Sequence, residues 1–330
     1  MVAGSLGSLP LFDEPPLAPA YTHDRPGRPF VDVVRDFTEF GRPSASIEDG
    51  GISYLINEFW TAGQRQAHSI HEVSYRACFK AQLPEFFISR LTEPTEAVYD
   101  PFMGRGTTPV QAGLMGRRPV GNDINPLSVL MTRPRLTPPA VPDIARSLRE
   151  IPWDSGNVDN ADLLVFFSEK TLKHICALRD WLLDRAPIGT IADPVDDWIR
   201  MVAINRLTGH SPGFFSVYTL PPNQAVSVES QKKINERRDQ RPVDRDVVKL
   251  ILKKSRTLLS DGPMSPHPEA ILTTSAAQST PDIADASVTL VVTSPPFLDI
   301  VQYAEHRFSR SLSRHDRIRI LAGAVTGSGG

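Results

Sequence analysis

The stretch that most constrains the fold lies at residues 98–108, which read VYDPFMGRGTT. A short apolar run of β type ends in an acid, Asp100, and a glycine-rich turn follows it. A second such run, residues 119–124, carries another acid, Asp123, near its end. Because open α/β sheets bind ligands beyond the carboxyl ends of their strands, both acids are predicted to face a ligand site.

The segment between the two runs contains signals that start and stop a helix. Gly104 and Gly106 allow a tight turn and a close approach of backbone N–H groups to a ligand. Thr108 is predicted to cap a helix that begins at Pro109 and stops at Gly116, a length of roughly two turns. The sequence therefore predicts a strand, a glycine turn, a short helix and a second strand.

The glycine spacing also limits the kind of ligand. The third glycine of the dinucleotide fingerprint is missing, since Pro109 stands three residues after Gly106. A helix entered through glycines can still hold a carboxylate on its free N–H groups. Asp123, 17 residues after Gly106, stands where an acid accepts hydrogen bonds from ribose hydroxyls, and Asp100 could face a cationic amine. An amino acid joined to a nucleoside meets these demands, and S-adenosylmethionine is such a molecule.

A second motif follows residues 287–292, SVTLVV, which predict a fully buried strand of a parallel sheet. It contains Ser294, Pro295, Pro296 and Phe297. Methyl transfer from a sulfonium to an exocyclic amine requires an oriented, flipped base and acceptors for the amine protons. The Ser294 hydroxyl and the Pro295 carbonyl are such acceptors, and Phe297 offers a face on which the base can stack. The alternative is a Pro-Pro strand end before a core aromatic residue.

Three segments resemble motifs of the DNA amino-methyltransferases, which use S-adenosylmethionine. Residues 100–108 are similar to the family's cofactor motif, and residues 121–126 to the motif with the ribose-binding acid. Residues 75–84 resemble the flanking motif that closes over the methionine part of the cofactor. The resemblance implies no metal, a catalytic role for residues 294–297, and these cofactor-binding residues: Phe79, Asp100, Phe102, Gly104, Gly106, Thr107, Thr108, Asp123 and Asn125.

The tetrapeptide at residues 294–297 resembles the cytosine-N4 type of this family, whereas Asp or Asn in place of Ser294 is usual for the adenine-N6 type. The resemblance implies methylation of double-stranded DNA in a restriction-modification system, with a cognate restriction endonuclease as the system partner. Adenine N6 is the alternative target. Two further alternatives are a degenerate protein that binds cofactor or DNA without turnover, and a methyltransferase of RNA or small molecules.

The expected fold is α/β, a doubly wound Rossmann-like methyltransferase sheet with a largely helical insert. The predicted parts are a disordered Pro- and Gly-rich tail (1–45), the cofactor-binding part (46–145), the insert (146–270), the catalytic part (271–304) and an atypical basic, flexible tail (305–330). Residues 52–91 carry a helical pattern, in which Pro84 is predicted to begin a new helix.

The insert is the candidate DNA-reading region, because the order of the motifs resembles the subgroup whose recognition region lies between them. Four residues of one loop are candidate contacts to base edges: Phe214, Phe215, Tyr218 and Asn223. Residues 232–256, with ten Lys or Arg against four Asp or Glu, are candidate phosphate contacts. A solvated helix face is the alternative for this stretch.

Two features depart from the family. Before the catalytic strand, related proteins usually carry an acid after a glycine, which contacts the cofactor adenine; the corresponding stretch here, residues 273–278, lacks that acid, and Ser275 is at best a weak substitute. After Phe297, 33 residues remain, and residues 305–317 are dominated by Arg, Ser and His. We therefore expect a truncated or frame-shifted product, altered near residue 304, that lacks the last strands and exposes the flank of the catalytic strand. A natural basic tail that binds DNA is the alternative.

Composition sets the remaining limits. The net charge of −2 and the pI near 6.5 provide no global basic field, so nucleic acid must bind a local patch. Cys78 and Cys176 are far apart and lack metal-type spacing, which argues against a zinc site or a disulfide framework. No apolar run of membrane-spanning length and no signal-peptide pattern occurs, so a soluble cytoplasmic protein is expected.

Overall fold

The computed structural model of the chain describes residues 28–60, 67–74, 79–190, 192–220 and 226–295. These residues divide into two compact units, the first within Met1–Arg65 and Ser89–Leu91, the second within Gln66–Ile88 and Thr92–Gly330. Several features predicted from the sequence lie outside the described residues: Pro296, Phe297, Asn223, residues 75–78 of the flanking motif, and the basic tail at 305–330.

The first unit contains a helix, α1 (Phe30–Arg35), and an antiparallel hairpin of β1 (Ala45–Asp49) and β2 (Ile52–Ile56). The tail predicted to be disordered (1–45) therefore includes a helix. The helical pattern predicted from residue 52 begins with a strand instead.

Aromatic side chains account for the order found in this unit. The ring of Phe37 packs against the rings of Phe40 and Phe59, with centroid distances of 5.8 and 5.2 Å. Phe37 and Val33 are both buried. Because Phe59 lies beyond the hairpin in the sequence, no local periodicity indicates this cluster.

The second unit is built on a parallel sheet of four strands: β3 (Ala97–Asp100), β4 (Arg118–Asn122), β5 (Ile271–Thr273) and β6 (Leu290–Val291). Their order across the sheet is β5-β4-β3-β6. The chain runs outward from β3 through β4 to β5 and then returns to the opposite side of β3 with β6. The strand order thus reverses between β3 and β6, the point at which open α/β sheets bind ligands.

The predicted strand, short helix and second strand are confirmed. Helix α2 (Gln82–Leu91) precedes β3, and helix α3 (Thr107–Leu114) connects β3 to β4. The register pairs Ala97 with Arg118 and Asp100 with Gly121. Asp100 is the last residue of β3, and Asp123 directly follows β4, so both acids lie at the same edge of the sheet.

Strand β6 differs from the fully buried strand predicted over residues 287–292. Only Leu290–Val291 form a strand, although hydrogen bonds from Thr289 N to Ala97 O and from Val292 N to Tyr99 O, both 3.0 Å, extend the pairing with β3. Val291 is 52% exposed. The strand is open because, within the described part of the chain, β6 is the end strand and has β3 on one side only.

The insert predicted to be largely helical is confirmed as such. Six helices follow β4: α4 (Pro126–Leu136), α5 (Val141–Glu150), α6 (Glu169–Arg185), α7 (Pro194–Arg206), α8 (Val228–Arg237) and α9 (Val247–Leu258). Polar side chains cap most of their N-termini by accepting a backbone N–H: Asn125, Ser168, Asp193, Ser227 and Asp246.

Helix α7 is the centre of the helical layer. Its residues Trp198, Ile199, Met201 and Val202 are fully buried, and they share one apolar core with residues of α4. The insert therefore packs on the helix that follows β4, and α5 crosses the boundary predicted at residue 146. None of the helices described is long and apolar enough to cross a membrane.

Candidate cofactor and catalytic site

Asp100 closes β3 with a side chain that is 1% exposed. Its Oδ1 accepts hydrogen bonds from the Phe102 N–H at 3.0 Å and from the Thr293 hydroxyl at 2.7 Å. Burial raises the pKa of Asp100 to about 6, although the hydrogen bonds from Thr293 and Phe102 favour the charged form. A nearby cation would therefore stabilise the charged form of this carboxylate.

The glycine turn brings the start of α3 against α4. Gly104 and Gly106 have φ values of 53° and 79°, in the left-handed region that favours glycine. A Cβ atom on Gly106 would overlap the side chain of Thr132 on α4. Glycine is therefore required at position 106 both by the left-handed backbone and by the close approach of Thr132.

The helix begins two residues earlier than predicted. Gly106 is the N-cap and Thr107 the first helical residue, because the left-handed turn at Gly106 already directs the chain into the helix. The bond from the Val110 N–H to Gly106 O, 3.0 Å, is the first of the helix. Thr108, predicted to be the cap, is instead fully buried inside α3, while Gly116 follows the helix end as predicted.

Asp123 fastens the glycine turn to the end of β4. Its Oδ2 accepts the Gly104 N–H at 2.8 Å, and its Oδ1 accepts the Asn125 N–H at 2.9 Å. Asn125 in turn caps α4 by accepting the Leu127 N–H at 3.1 Å. Each carboxylate oxygen has two acceptor positions, and Asp123 is only half-buried. The Asp123 carboxylate can therefore accept further hydrogen bonds from hydroxyl groups at this edge of the sheet.

Two hydrogen bonds join the cofactor motif to the segment that leads into residues 294–297. The Thr108 hydroxyl donates to Val292 O at 3.0 Å, and the Thr293 hydroxyl donates to Asp100 as described above. Ser294 and Pro295 follow directly and are exposed. The reversal of strand order thus places the start of the tetrapeptide beside the acid of the cofactor motif.

The two aromatic residues predicted to bind cofactor have different settings. Phe102 lies in the turn after β3 and is partly exposed. Phe79 is half-buried ahead of α2. Phe102 thus lies two residues after Asp100 in the sequence, whereas Phe79 precedes α2.

A network that the sequence does not indicate surrounds Asn122, which is fully buried at the end of β4. Its Oδ1 accepts the Thr273 hydroxyl at 2.8 Å and the Ser275 N–H and hydroxyl at 3.1 and 2.9 Å. Its Nδ2 donates to Ser275 O at 3.0 Å. Ser275, the weak substitute for the acid expected in residues 273–278, is therefore engaged in holding the ends of β4 and β5 together.

Two arginines hold the glycine turn against residues 70–73. Arg105 donates from its guanidinium to Val73 O at 3.0 Å and to the Thr107 hydroxyl at 3.1 Å. Arg135 of α4, fully buried, donates to the carbonyls of Ile70 and Arg105. Arg135 lies on the buried face of α4 together with Ser128 and Thr132.

The structure corrects the prediction that aromatic residues of the loop at 214–218 contact base edges. Phe215 is fully buried in the helical core and Phe214 is nearly so. The ring of Tyr218 is partly buried and stacks against the Arg238 guanidinium, 3.8 Å from its centroid. These residues were candidates because an aromatic loop and a basic stretch occur together, but the rings of Phe214 and Phe215 are buried beside α7.

Comparison with known proteins supports the resemblance found in the sequence. A family model described as DNA methylase matches residues 50–132. That span covers β2, α2, β3, the glycine turn, α3, β4 and most of α4. No solved structure shows significant similarity to the chain.

Two characterised relatives match parts of the chain. The Type II methyltransferase M.MjaII of Methanocaldococcus jannaschii is 39% identical over 72 residues, which are 22% of this chain and 13% of that protein. The Type II methyltransferase M.MvaI of Kocuria varians is 35% identical over 101 residues, which are 27% of this chain and 22% of that protein. The matches thus span less than a quarter of either relative. Residues 50–132 of this chain are thus similar to the DNA methylase family.

Proposed function

We propose that the protein transfers a methyl group from S-adenosylmethionine to the exocyclic amine of a flipped base in double-stranded DNA, with cytosine N4 as the target. The observation that carries this proposal is the hydrogen bond between Thr293 and Asp100, 2.7 Å, at the reversal of strand order. It supports a single site made of the cofactor motif and the tetrapeptide. A doubly wound methyltransferase sheet is the corresponding fold.

The residues at this edge of the sheet fit S-adenosylmethionine. Asp100 offers a buried carboxylate to the amine of the methionine part. Asp123 retains acceptor positions for the ribose hydroxyls. The N-terminus of α3, entered through Gly104 and Gly106, offers N–H groups to the carboxylate. When bound, the cofactor supplies the sulfonium methyl group, and Phe79, Phe102, Thr107, Thr108 and Asn125 complete the proposed lining.

The tetrapeptide supplies acceptors and a stacking surface. The Ser294 hydroxyl and the Pro295 carbonyl accept hydrogen bonds from the two amine N–H groups and orient the nitrogen lone pair toward the methyl group. Pro295 and Pro296 carry no N–H that would compete for these acceptors. Phe297 stacks on the extruded base. No covalent enzyme intermediate is needed, so a catalytic cysteine has no part in the reaction.

The descriptions of the two relatives support a proposal for the biological setting. Both are described as Type II methyltransferases. We place this protein in a restriction-modification system, with a cognate restriction endonuclease as its partner, and assign DNA reading to residues 146–270. Adenine N6 is the second candidate target, because a Ser-Pro-Pro-aromatic tetrapeptide separates the two types imperfectly.

The nucleoside product tests the proposal. Duplex DNA is incubated with the protein and labelled S-adenosylmethionine, then digested to nucleosides and separated. We expect N4-methylcytosine. N6-methyladenine would move the target to the second candidate, and 5-methylcytosine would contradict the mechanism, since that chemistry requires a cysteine nucleophile. Cofactor binding without a methylated nucleoside would favour a degenerate binding protein, and label transfer only to RNA or a small molecule would exclude DNA as substrate.

The Ser294→Ala variant tests the catalytic assignment. We expect transfer to fall about a hundredfold while cofactor affinity stays unchanged, because an acceptor of the amine proton is lost. Ser287→Ala is the matched control, since Ser287 is an exposed serine in the same segment whose hydroxyl donates to Ala284 O. Equal loss of transfer and cofactor binding in Ser294→Ala would contradict its assigned role.

A further inference from the structure

Arg206, the last residue of α7, is a half-buried cation. Its guanidinium lies over the ring of Phe214, 4.2 Å from the centroid. It donates to the side-chain and backbone oxygens of Asn205 at 2.7 and 3.2 Å. No ion pair joins it to an acid among the residues described. Burial lowers the pKa of Arg206 to about 10.

A second buried cation is close by. The Lys254 side chain on α9 is 12% exposed, and its Nζ lies 3.7 Å from Oε2 of Glu72, whose own side chain is 61% exposed. Burial lowers the pKa of Lys254 to about 8, and the charge of Arg206 contributes to this effect. Of the two cations, Lys254 has one carboxylate near it, that of the exposed Glu72, so a local positive charge remains in a partly dehydrated setting.

This pair of cations adjoins the candidate site through residues 72–74. Asn205, the neighbour of Arg206, donates to Ser74 O at 3.1 Å. Val73 O accepts the hydrogen bond from Arg105 of the glycine turn. Residues 72–74 thus contact Lys254 and Asn205, the neighbour of Arg206, on one side and the glycine turn on the other.

We propose that Arg206 and Lys254 bind a phosphodiester of the DNA backbone beside the methylation site. A phosphate provides the negative charge that the pair lacks, the planar guanidinium matches two phosphate oxygens, and the ammonium adds a point charge. Phe214 has a supporting role, because its ring holds the guanidinium in place. The inference rests on the proposed function and gives the insert a defined contact to DNA.

The test compares DNA affinity of the full-length chain and its Lys254→Met variant across a series of salt concentrations. Met retains the buried stem and removes the charge. We expect weaker binding at low salt and a salt slope smaller by about one, as for loss of one phosphate contact. Arg118→Met is the matched control, because Arg118 is an exposed cation on β4, outside the stretch assigned to DNA contacts. Lys254→Arg should restore affinity, and Arg206→Met should reproduce the loss.

Several outcomes separate this inference from the proposed function. If the wild-type protein binds DNA and Lys254→Met loses no more affinity than Arg118→Met, the phosphate site is wrong and the proposed function stands. If the wild-type protein binds no DNA, both fail. If inorganic phosphate raises the melting temperature of the wild type but not of Lys254→Met, while DNA affinity is equal in both, the site takes free phosphate and the inference is overturned. Cofactor affinity is expected to be unchanged throughout.

Discussion

The chemistry of Asp100 depends on two contacts that burial makes strong. Its carboxylate is removed from water at the end of β3 and accepts the Phe102 N–H and the Thr293 hydroxyl. Hydrogen bonds to the charged form and loss of hydration act in opposite directions on the pKa. Loss of hydration prevails, which brings the pKa of Asp100 to about 6.

This pKa predicts how cofactor affinity changes with pH. If the Asp100 carboxylate holds the cofactor amine, protonation below pH 6 removes the attraction, and the dissociation constant rises by up to about tenfold per pH unit. Titration calorimetry between pH 5 and 7 measures this dependence. The Asp100→Asn variant should bind more weakly and without it. The same pH dependence in the variant would show that another group is responsible.

Gly106 combines a left-handed backbone with a close approach to Thr132, and substitution separates the two effects. We expect Gly106→Ala to lower the free energy of unfolding by about 1–3 kcal/mol for backbone strain, with a further loss from overlap with Thr132. Urea denaturation measures both. Gly189→Ala is the control, since Gly189 has φ 88° and no atom near its Cβ position. Equal losses in the two variants would mean that the contact with Thr132 costs nothing.

Residues 68–74 form hydrogen bonds to both the helical insert and the glycine turn. The Ser69 N–H donates to Asp261 at 2.7 Å, and its hydroxyl donates to Leu258 O at the end of α9 at 3.0 Å. Arg105 holds Val73 from the glycine turn. The segment thus connects the helical insert to the cofactor motif by hydrogen bonds.

Arg105 is therefore expected to position the glycine turn. Arg105→Met removes charged hydrogen bonds to Val73 and Thr107. We expect roughly tenfold weaker cofactor binding, which corresponds to a loss of about 1.5 kcal/mol of binding free energy. Calorimetry measures the affinity, and Arg105→Lys should recover part of it. Arg118→Met, an exposed arginine on β4, is the control. Unchanged affinity in Arg105→Met would limit its role to folding.

For the molecule as a whole, His71 makes stability depend on pH. Burial, followed by the charge of Arg135, lowers the pKa of His71 from 6.5 to about 3. The unfolded chain binds more protons within this window, so stability is fully present above pH 6.5 and is lost as the pH falls toward 3. The maximum slope from one group is about 1.4 kcal/mol per pH unit.

Urea denaturation at pH 7, 6 and 5 checks this expectation. The unfolding free energy of the wild type should fall faster toward low pH than that of His71→Gln, which lacks the titrating group. The raised pKa of Asp100 acts in the opposite direction between pH 3.8 and 6, but it is common to both proteins and cancels in the comparison. Parallel curves for the two proteins would contradict the buried neutral state of His71.

Local signals carried most of the correct predictions. The strand–turn–helix–strand segment is specified by neighbouring residues, because glycine turns and strand ends depend on nearby backbone geometry. The helical insert follows from periodicity in the same way. The predictions failed where distant contacts decide: Phe37 and Phe59 order the N-terminal region, and Phe214 and Phe215 are drawn into the core instead of facing DNA.

By itself, the sequence determined the cofactor motif, because an acid at a strand end and a left-handed glycine turn are properties of consecutive residues. Only the tertiary structure decided what lies beside that motif. Thr293 reaches Asp100 across 193 residues because the strand order reverses at β3. Arg206 and Lys254 become neighbours because α7 and α9 pack together. Burial, which sets the pKa of Asp100, is likewise a property of the packed chain, since it depends on what surrounds a side chain in space.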